Sequence, residues 1–147
     1  MSRSDMNIDA GGEQWDLPIV GFEVLEVWFS GEAYLIVYGN RADSALTEAP
    51  HARLSLGGSF SLVEPDGGRR SLDATGPWEA LVPLLSLRHA AIESAITDRD
   101  GHLEVRFEPG FVLTVEPQPR YEAWGMSGPA SLILACPPGG GDPRIST

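Results

Sequence analysis

The sequence predicts a mostly β protein of the α+β kind, an antiparallel sandwich or half-open barrel crossed by one short helix. Three observations carry this. Short segments rich in β-branched and aromatic residues recur along the chain, several with strict apolar–polar alternation. Turn chemistry separates them at Asp66-Gly67, Asp100-Gly101 and Pro109-Gly110. Helical spacing is found once, in residues 81–87. A length of 147 residues fits one domain, and a hydrophobic fraction of 42% fits a chain with its own core.

Residues 1–16 hold Gly11-Gly12 and no periodicity, so they read as a flexible leader from which Trp15 tucks against the domain. The β-rich domain is expected over 17–140 and a flexible tail over 141–147. In residues 19–29, Phe22 and Val24 alternate in one phase and Leu25, Val27 and Phe29 in the other, which a bulge near Val24-Leu25 reconciles. Ser30-Gly31-Glu32 turns this strand into Tyr34, Leu35, Ile36, Val37 and Tyr38. Residues 39–51 read as a loop with room for one helical turn. Leu54, Leu56, Phe60 and Leu62 all stand at even positions, a half-buried strand bent at Gly57-Gly58. Asp66-Gly67 leads into a short strand over 69–73.

The helix starts near Pro77, with Thr75 or Gly76 as its cap and Glu79 in the first turn. Leu81, Leu84 and Leu85, with Trp78, form its core stripe, and Pro83 keeps it short or distorted. Next comes a three-stranded meander. A two-residue turn at Asp100-Gly101 sets Ile96 opposite Val105 and Ser94 opposite Phe107. A three-residue loop at Glu108-Pro109-Gly110 sets Phe107 opposite Phe111, Val105 opposite Leu113 and Leu103 opposite Val115. The outer face of the meander carries His102, Glu104, Arg106 and Glu108, near Glu93, Thr97 and Arg99. A last hairpin joins residues 121–126 to 132–136 through Ser127-Gly128-Pro129, for about nine strands in all.

Residues 80–140 resemble an actinobacterial family of small domains of unknown function. The features that carry this are the leucine-rich helix followed by His89, the turn at Asp100-Gly101 and the second hairpin at Pro109-Gly110. To these are added Tyr121-Glu122-Ala123-Trp124 and Pro138-Gly139-Gly140, with a weaker extension to the strand of Leu54 to Leu62. The resemblance implies a fold and assigns no catalytic residue. Such members continue past the glycines into a short apolar end with a tryptophan, whereas this chain ends GDPRIST, which leaves the final strand in question.

There are 21 acidic residues against 10 basic ones, and the net charge is −11. Residues 1–50 alone hold nine acids and two arginines. This balance opposes binding to phosphate backbones or anionic membrane and favours either plain solubility or a basic protein partner. One cysteine, Cys136, allows no internal disulfide and reads as a small buried apolar residue. The polar start and the lack of a long apolar run predict a cytoplasmic chain that does not enter a membrane.

Motifs for nucleotide binding, metalloprotease or nucleophile-elbow chemistry are missing from the sequence. No catalytic residue, cofactor or metal is expected, and His89 with His102 make a poor metal pair. The charges around Arg106 read as surface pairing on a strand, not as an acid/base site. Tyr121, Glu122 and Trp124 are the candidate binding residues, with His89 and Arg106 beside them. In a strand, Tyr121 and Trp124 would face opposite ways, one in the core and the other covered by the tail or a partner.

The function expected from this is a non-enzymatic interaction module, of the immunity-protein or antitoxin-like kind, for a basic partner. The rival is a small-ligand binder or small enzyme with a pocket beside the helix, its polar groups being Tyr121, His89 and Arg106. A third reading is a homodimer joined through an uncovered sheet edge.

Overall fold

The computed structural model describes residues 14–39, 51–129, 132–141 and 144–146. Their strands are β1 (Gln14–Asp16), β2 (Glu23–Phe29), β3 (Ala33–Tyr38), β4 (His51–Leu56), β5 (Ser59–Val63) and β6 (Arg69–Asp73). After a 3-10 helix, Trp78–Leu87, come β7 (Ala91–Asp98), β8 (Leu103–Glu108), β9 (Phe111–Val115), β10 (Trp124–Ser127), β11 (Ile133–Ala135) and β12 (Arg144–Ser146). All pair antiparallel in one open sheet, ordered β12-β11-β10-β4-β3-β2-β7-β8-β9-β5-β6, with β1 added on β7. The fold is therefore the mostly β, one-helix class expected, and the sheet does not close into a barrel. The loop expected over 39–51 falls largely on residues 40–50, outside the described residues.

Three strands go beyond the nine expected. The segment from Leu54 to Leu62 breaks at Gly57 and Gly58 into β4 and β5, which lie far apart in the sheet order. One side of each strand still faces the same core, since Leu54, Leu56, Phe60 and Leu62 are all buried. A chain that passes from one half of the sheet to the other in two residues forces the sheet to curl. The other two additions, β1 and β12, lie inside the segments read as leader and tail. Trp15 in β1 pairs with Thr97 and is buried, as expected, while β12 pairs with β11 after all.

The β2 bulge falls where the sequence placed it, with the register shifting between Val24 and Glu26. The β8–β9 hairpin has the expected three-residue loop, pairing Phe107 with Phe111 and Val105 with Leu113. The β7–β8 register differs by one residue: Ile96 faces Glu104, and Ala95 faces Val105. Two local forces decide this. The Asp98 carboxylate accepts the backbone N–H groups of Asp100 and His102, both at 3.0 Å, which builds a longer turn than two residues. A bulge between Ile92 and Ser94 then moves the core face from even to odd positions. Thr97, assigned to the outer face by the sequence, is instead fully buried, and its hydroxyl donates to the His102 carbonyl at 2.8 Å.

The helix also corrects its expected stripe. Its buried residues are Leu81, Leu84 and Leu87, whereas Leu85 and Trp78 are exposed. A 3-10 helix has three residues per turn, so a spacing of three keeps one face inward and residue 85 turns out. Pro83 removes a backbone donor from the middle of the segment. The capping residue is Pro77 itself, with no side-chain cap, rather than Thr75 or Gly76.

The curled sheet is fastened where four separate segments meet. The Trp124 indole N–H donates to the Gly101 carbonyl at 2.9 Å in the buried interior. Gly141 donates to the Asp100 carbonyl at 3.1 Å. Gly101 has φ +95°, and a Cβ there would lie 2.9 Å from the Cys136 sulfur and 3.1 Å from the Gly140 Cα. We predict that Gly101→Ala lowers stability by about 2 kcal/mol, through strain and the clash together. In a Cys136→Ala background the same substitution should lower the melting temperature less. Equal losses in both backgrounds would show that the sulfur is not the obstacle.

Candidate interaction surface

The outward phase of β2, β3 and β4 forms one lattice of side chains. Paired residues of an antiparallel sheet share a face. Trp28 pairs with Tyr34 and Tyr34 with Ser55; Glu26 pairs with Ile36 and Ile36 with Arg53; Glu23 pairs with Tyr38 and Tyr38 with His51. Leu35, Val37 and Leu54 of the opposite phase are fully buried in the core, and Val27 and Phe29 of β2 pack against it, which fixes this face as the outer one. It is unusually aromatic for an outer face, and Trp28 is 49% exposed.

Hydrogen bonds and ring contacts hold these side chains in place. The Trp28 indole donates to Glu26 at 3.2 Å, and the Tyr34 hydroxyl donates to Glu32 at 2.7 Å. Arg53 stands over the Tyr34 ring, 5.2 Å from its centre, and Tyr38 stacks on His51 with ring centres 5.5 Å apart. The bond to the Glu32 carboxylate, followed by desolvation, pushes the Tyr34 phenol above its usual value; Arg53 acts in the opposite sense.

The segment 121–123 adjoins the Glu32 end of this face. It is not part of a strand, since β10 begins at Trp124. The Gly57 N–H donates to the Ala123 carbonyl at 2.9 Å. A Cβ at Gly57 would meet the Glu122 carbonyl at 2.7 Å and the Glu32 carboxylate at 3.7 Å. The ring and hydroxyl of Tyr121 fill the space that a Cβ at Gly58 would need. Gly57 and Gly58 are thus the floor on which this segment lies, which accounts for two consecutive glycines in a strand sequence.

Of the residues singled out from the sequence, Tyr121 and Glu122 are exposed beside Glu32. His89 lies at another margin of the same face, its Nδ1 at 3.2 Å from the Glu23 carboxylate. Its φ of +73° marks the left-handed position that ends the helix, and its N–H donates to the Val24 carbonyl at 2.6 Å. Trp124 is only 1% exposed and faces inward, next to Leu56. Arg106 lies on β8, beyond β7, and donates to Glu104 at 2.8 Å along its own strand. Trp28, Tyr34 and Tyr38 are not among the residues that the sequence singles out, yet they share this face. Their signal is the outward phase of two strands whose inward phase, Val24, Val27 and Phe29 in β2 and Ala33, Leu35 and Val37 in β3, is apolar throughout.

Asp98, Asp100 and His102 bring one ligand atom each within 4.8 Å of one another, but Asp98 is already committed to holding the turn. A groove of about 550 Å³ lies beside the start of the helix over β5, β6 and β9. Tyr121, His89 and Arg106, the polar groups expected to line such a pocket, are not among its walls. Cys136 is buried, and desolvation raises its thiol pKa, so the sulfur stays protonated.

Two expectations follow. Gly58→Ala should destabilise the chain by about 1–3 kcal/mol by displacing the Tyr121 ring, and by clearly less in a Tyr121→Ala background. Denaturant melts of the four chains test this coupling, and additive losses would refute the contact. For Tyr34, the folded pKa lies above the unfolded value of 10.0. Its contribution is therefore complete below that pH and lost as pH rises through the folded value. Ultraviolet titration should show Tyr34 ionising at lower pH in Glu32→Ala than in the parent chain.

No helix among the described residues is long and apolar enough to cross a membrane. No curated protein and no solved structure matches the chain. A family of unknown function, DUF6188, matches it over residues 15–142, from the buried Trp15 through the glycines that close on Asp100. That span takes in the core, the outer face of β2–β4 and the segment that crosses Gly57 and Gly58, and on it the chain belongs to DUF6188.

Proposed function

We propose that this chain is a non-enzymatic interaction module whose outer β2–β3–β4 face docks a basic protein partner. The observation that carries the reading is the placement of Trp28, Tyr34 and Tyr38 with Glu23 and Glu26 on one outer face, bounded by Glu32. Trp, Tyr and Arg are the side chains that anchor protein interfaces, because they bury large areas with few rotatable bonds. A chain of net charge −11 attracts a basic surface over a distance, and the aromatic rings then supply short-range contact. Arg53 over Tyr34 already shows how a guanidinium sits on this surface.

An immunity protein or antitoxin-like chain works in this way, by covering the basic working surface of another protein. The partner follows from the chemistry of the face: a surface rich in arginine or lysine.

The test is capture of a stoichiometric partner by the tagged chain from its native cytosol, then titration of the purified pair across a salt series. Trp28→Ala should weaken binding at least tenfold, on the order of 2 kcal/mol for an interface anchor. Trp78→Ala is the control, since that indole is 63% exposed and lies on the helix. Affinity should also fall steeply with salt. The reading fails if no partner is captured, if both tryptophan variants behave alike, or if salt has no effect.

A further inference from the structure

We propose that the groove beside the helix is a second, separate site, which binds a small neutral polyhydroxy compound of the saccharide class. Its floor is the outer face of β5, β6 and β9. In the middle of that floor three hydroxyls stand in one cross-strand row: Ser71 pairs with Ser61, and Ser61 with Thr114. Ser59, paired with Asp73, adds a fourth hydroxyl in the next row. None of the four side chains has a hydrogen-bond partner among the described residues.

The groups around the floor narrow the ligand. Asp73 and Glu116 line the groove as acceptors, Arg69 as a donor, and Gln118 as both. Asp73 Oδ1 already accepts the Thr75 hydroxyl and backbone N–H, which hold the carboxyl below its usual range, and Oδ2 is left as the acceptor. Two carboxylates against one guanidinium disfavour a phosphate or other anion. Hydroxyls without partners disfavour a hydrocarbon, which would cover them and satisfy none. A dication gains from the carboxylates and meets the Arg69 charge. An array of neutral hydroxyls, each both donor and acceptor, satisfies all of these groups together. Pro77 and Ala80 give an apolar wall for the carbon face of such a molecule, and a volume of about 550 Å³ lies inside the range of small-ligand sites.

Isothermal titration of the full chain with glucose, galactose, maltose and sorbitol, and separately with putrescine and glucuronate, tests the assignment. At least one of the four neutral compounds should bind, with a dissociation constant on the order of 1 mM, and glucuronate should bind more weakly than glucose. Ser61→Val combined with Thr114→Val should weaken binding about tenfold, by removing two hydrogen bonds. Valine suits these outer strand positions. If the pair fails to fold by melting curve, Glu116→Gln with Gln118→Ala, outside the strands, serves instead and should weaken binding similarly. Trp28→Ala should leave saccharide affinity unchanged, which separates this site from the protein-docking face. The proposal is overturned if none of the four neutral compounds binds, if the groove variants bind as the parent does, or if putrescine binds more tightly than every neutral compound.

Discussion

The bond from the Trp124 indole to the Gly101 carbonyl is the contact on which the shape of the sheet rests. In sheet order, β10 is separated from β7 by β4, β3 and β2. A flat sheet would hold Trp124 and the β7–β8 turn far apart, yet they meet at 2.9 Å in the interior. Once the sheet has curled, both groups are out of water, and either one left unpaired would cost about 1–3 kcal/mol. The same corner leaves no room for a side chain at Gly101, because Cys136 and Gly140 are packed against it. The turn, the tryptophan and the final glycines are remote in sequence, and they belong together because they share this one volume.

How much of this was legible depended on whether the deciding forces were local. Phe107, Val105 and Leu103 have apolar partners across a short loop at only one register, so alternation alone was sufficient there. In the preceding hairpin alternation gives a register one residue off, because Asp98 lengthens the turn with its own side chain and a bulge reverses the core phase. Neither leaves a mark in apolar periodicity. The helix was found, but its stripe was read at a spacing of 3.6 residues where the chain uses three. Strands β1 and β12 have three residues each and become strands only by pairing with β7 and β11.

The binding residues show the same division. Tyr121 and Glu122 drew attention by composition, but their place is set by Gly57 and Gly58, more than sixty residues earlier. Trp124 drew the same attention, and its role is to close the core. Trp28, Tyr34 and Tyr38 were present in two correctly identified strands. They passed as ordinary strand formers because aromatic residues favour sheets wherever they point. Only the pairing of β2 with β3 and β4 shows that all three point away from the core, together with two glutamates.

The way Glu26 and Glu32 are held bears on what the face can attract. Glu26 accepts from the Trp28 indole and Glu32 from the Tyr34 hydroxyl, and both donors are neutral. A neutral donor fixes the direction of a carboxylate without cancelling its charge, whereas an ion pair does both. The upward shift of the Tyr34 phenol has the same origin, because the hydrogen bond its hydroxyl donates to Glu32 holds the proton in place. Orientation and undiminished charge are what recognition of a cation requires. A guanidinium arriving from outside would find acceptors already aimed and rings already in place, and little further ordering of side chains would be needed to bind it.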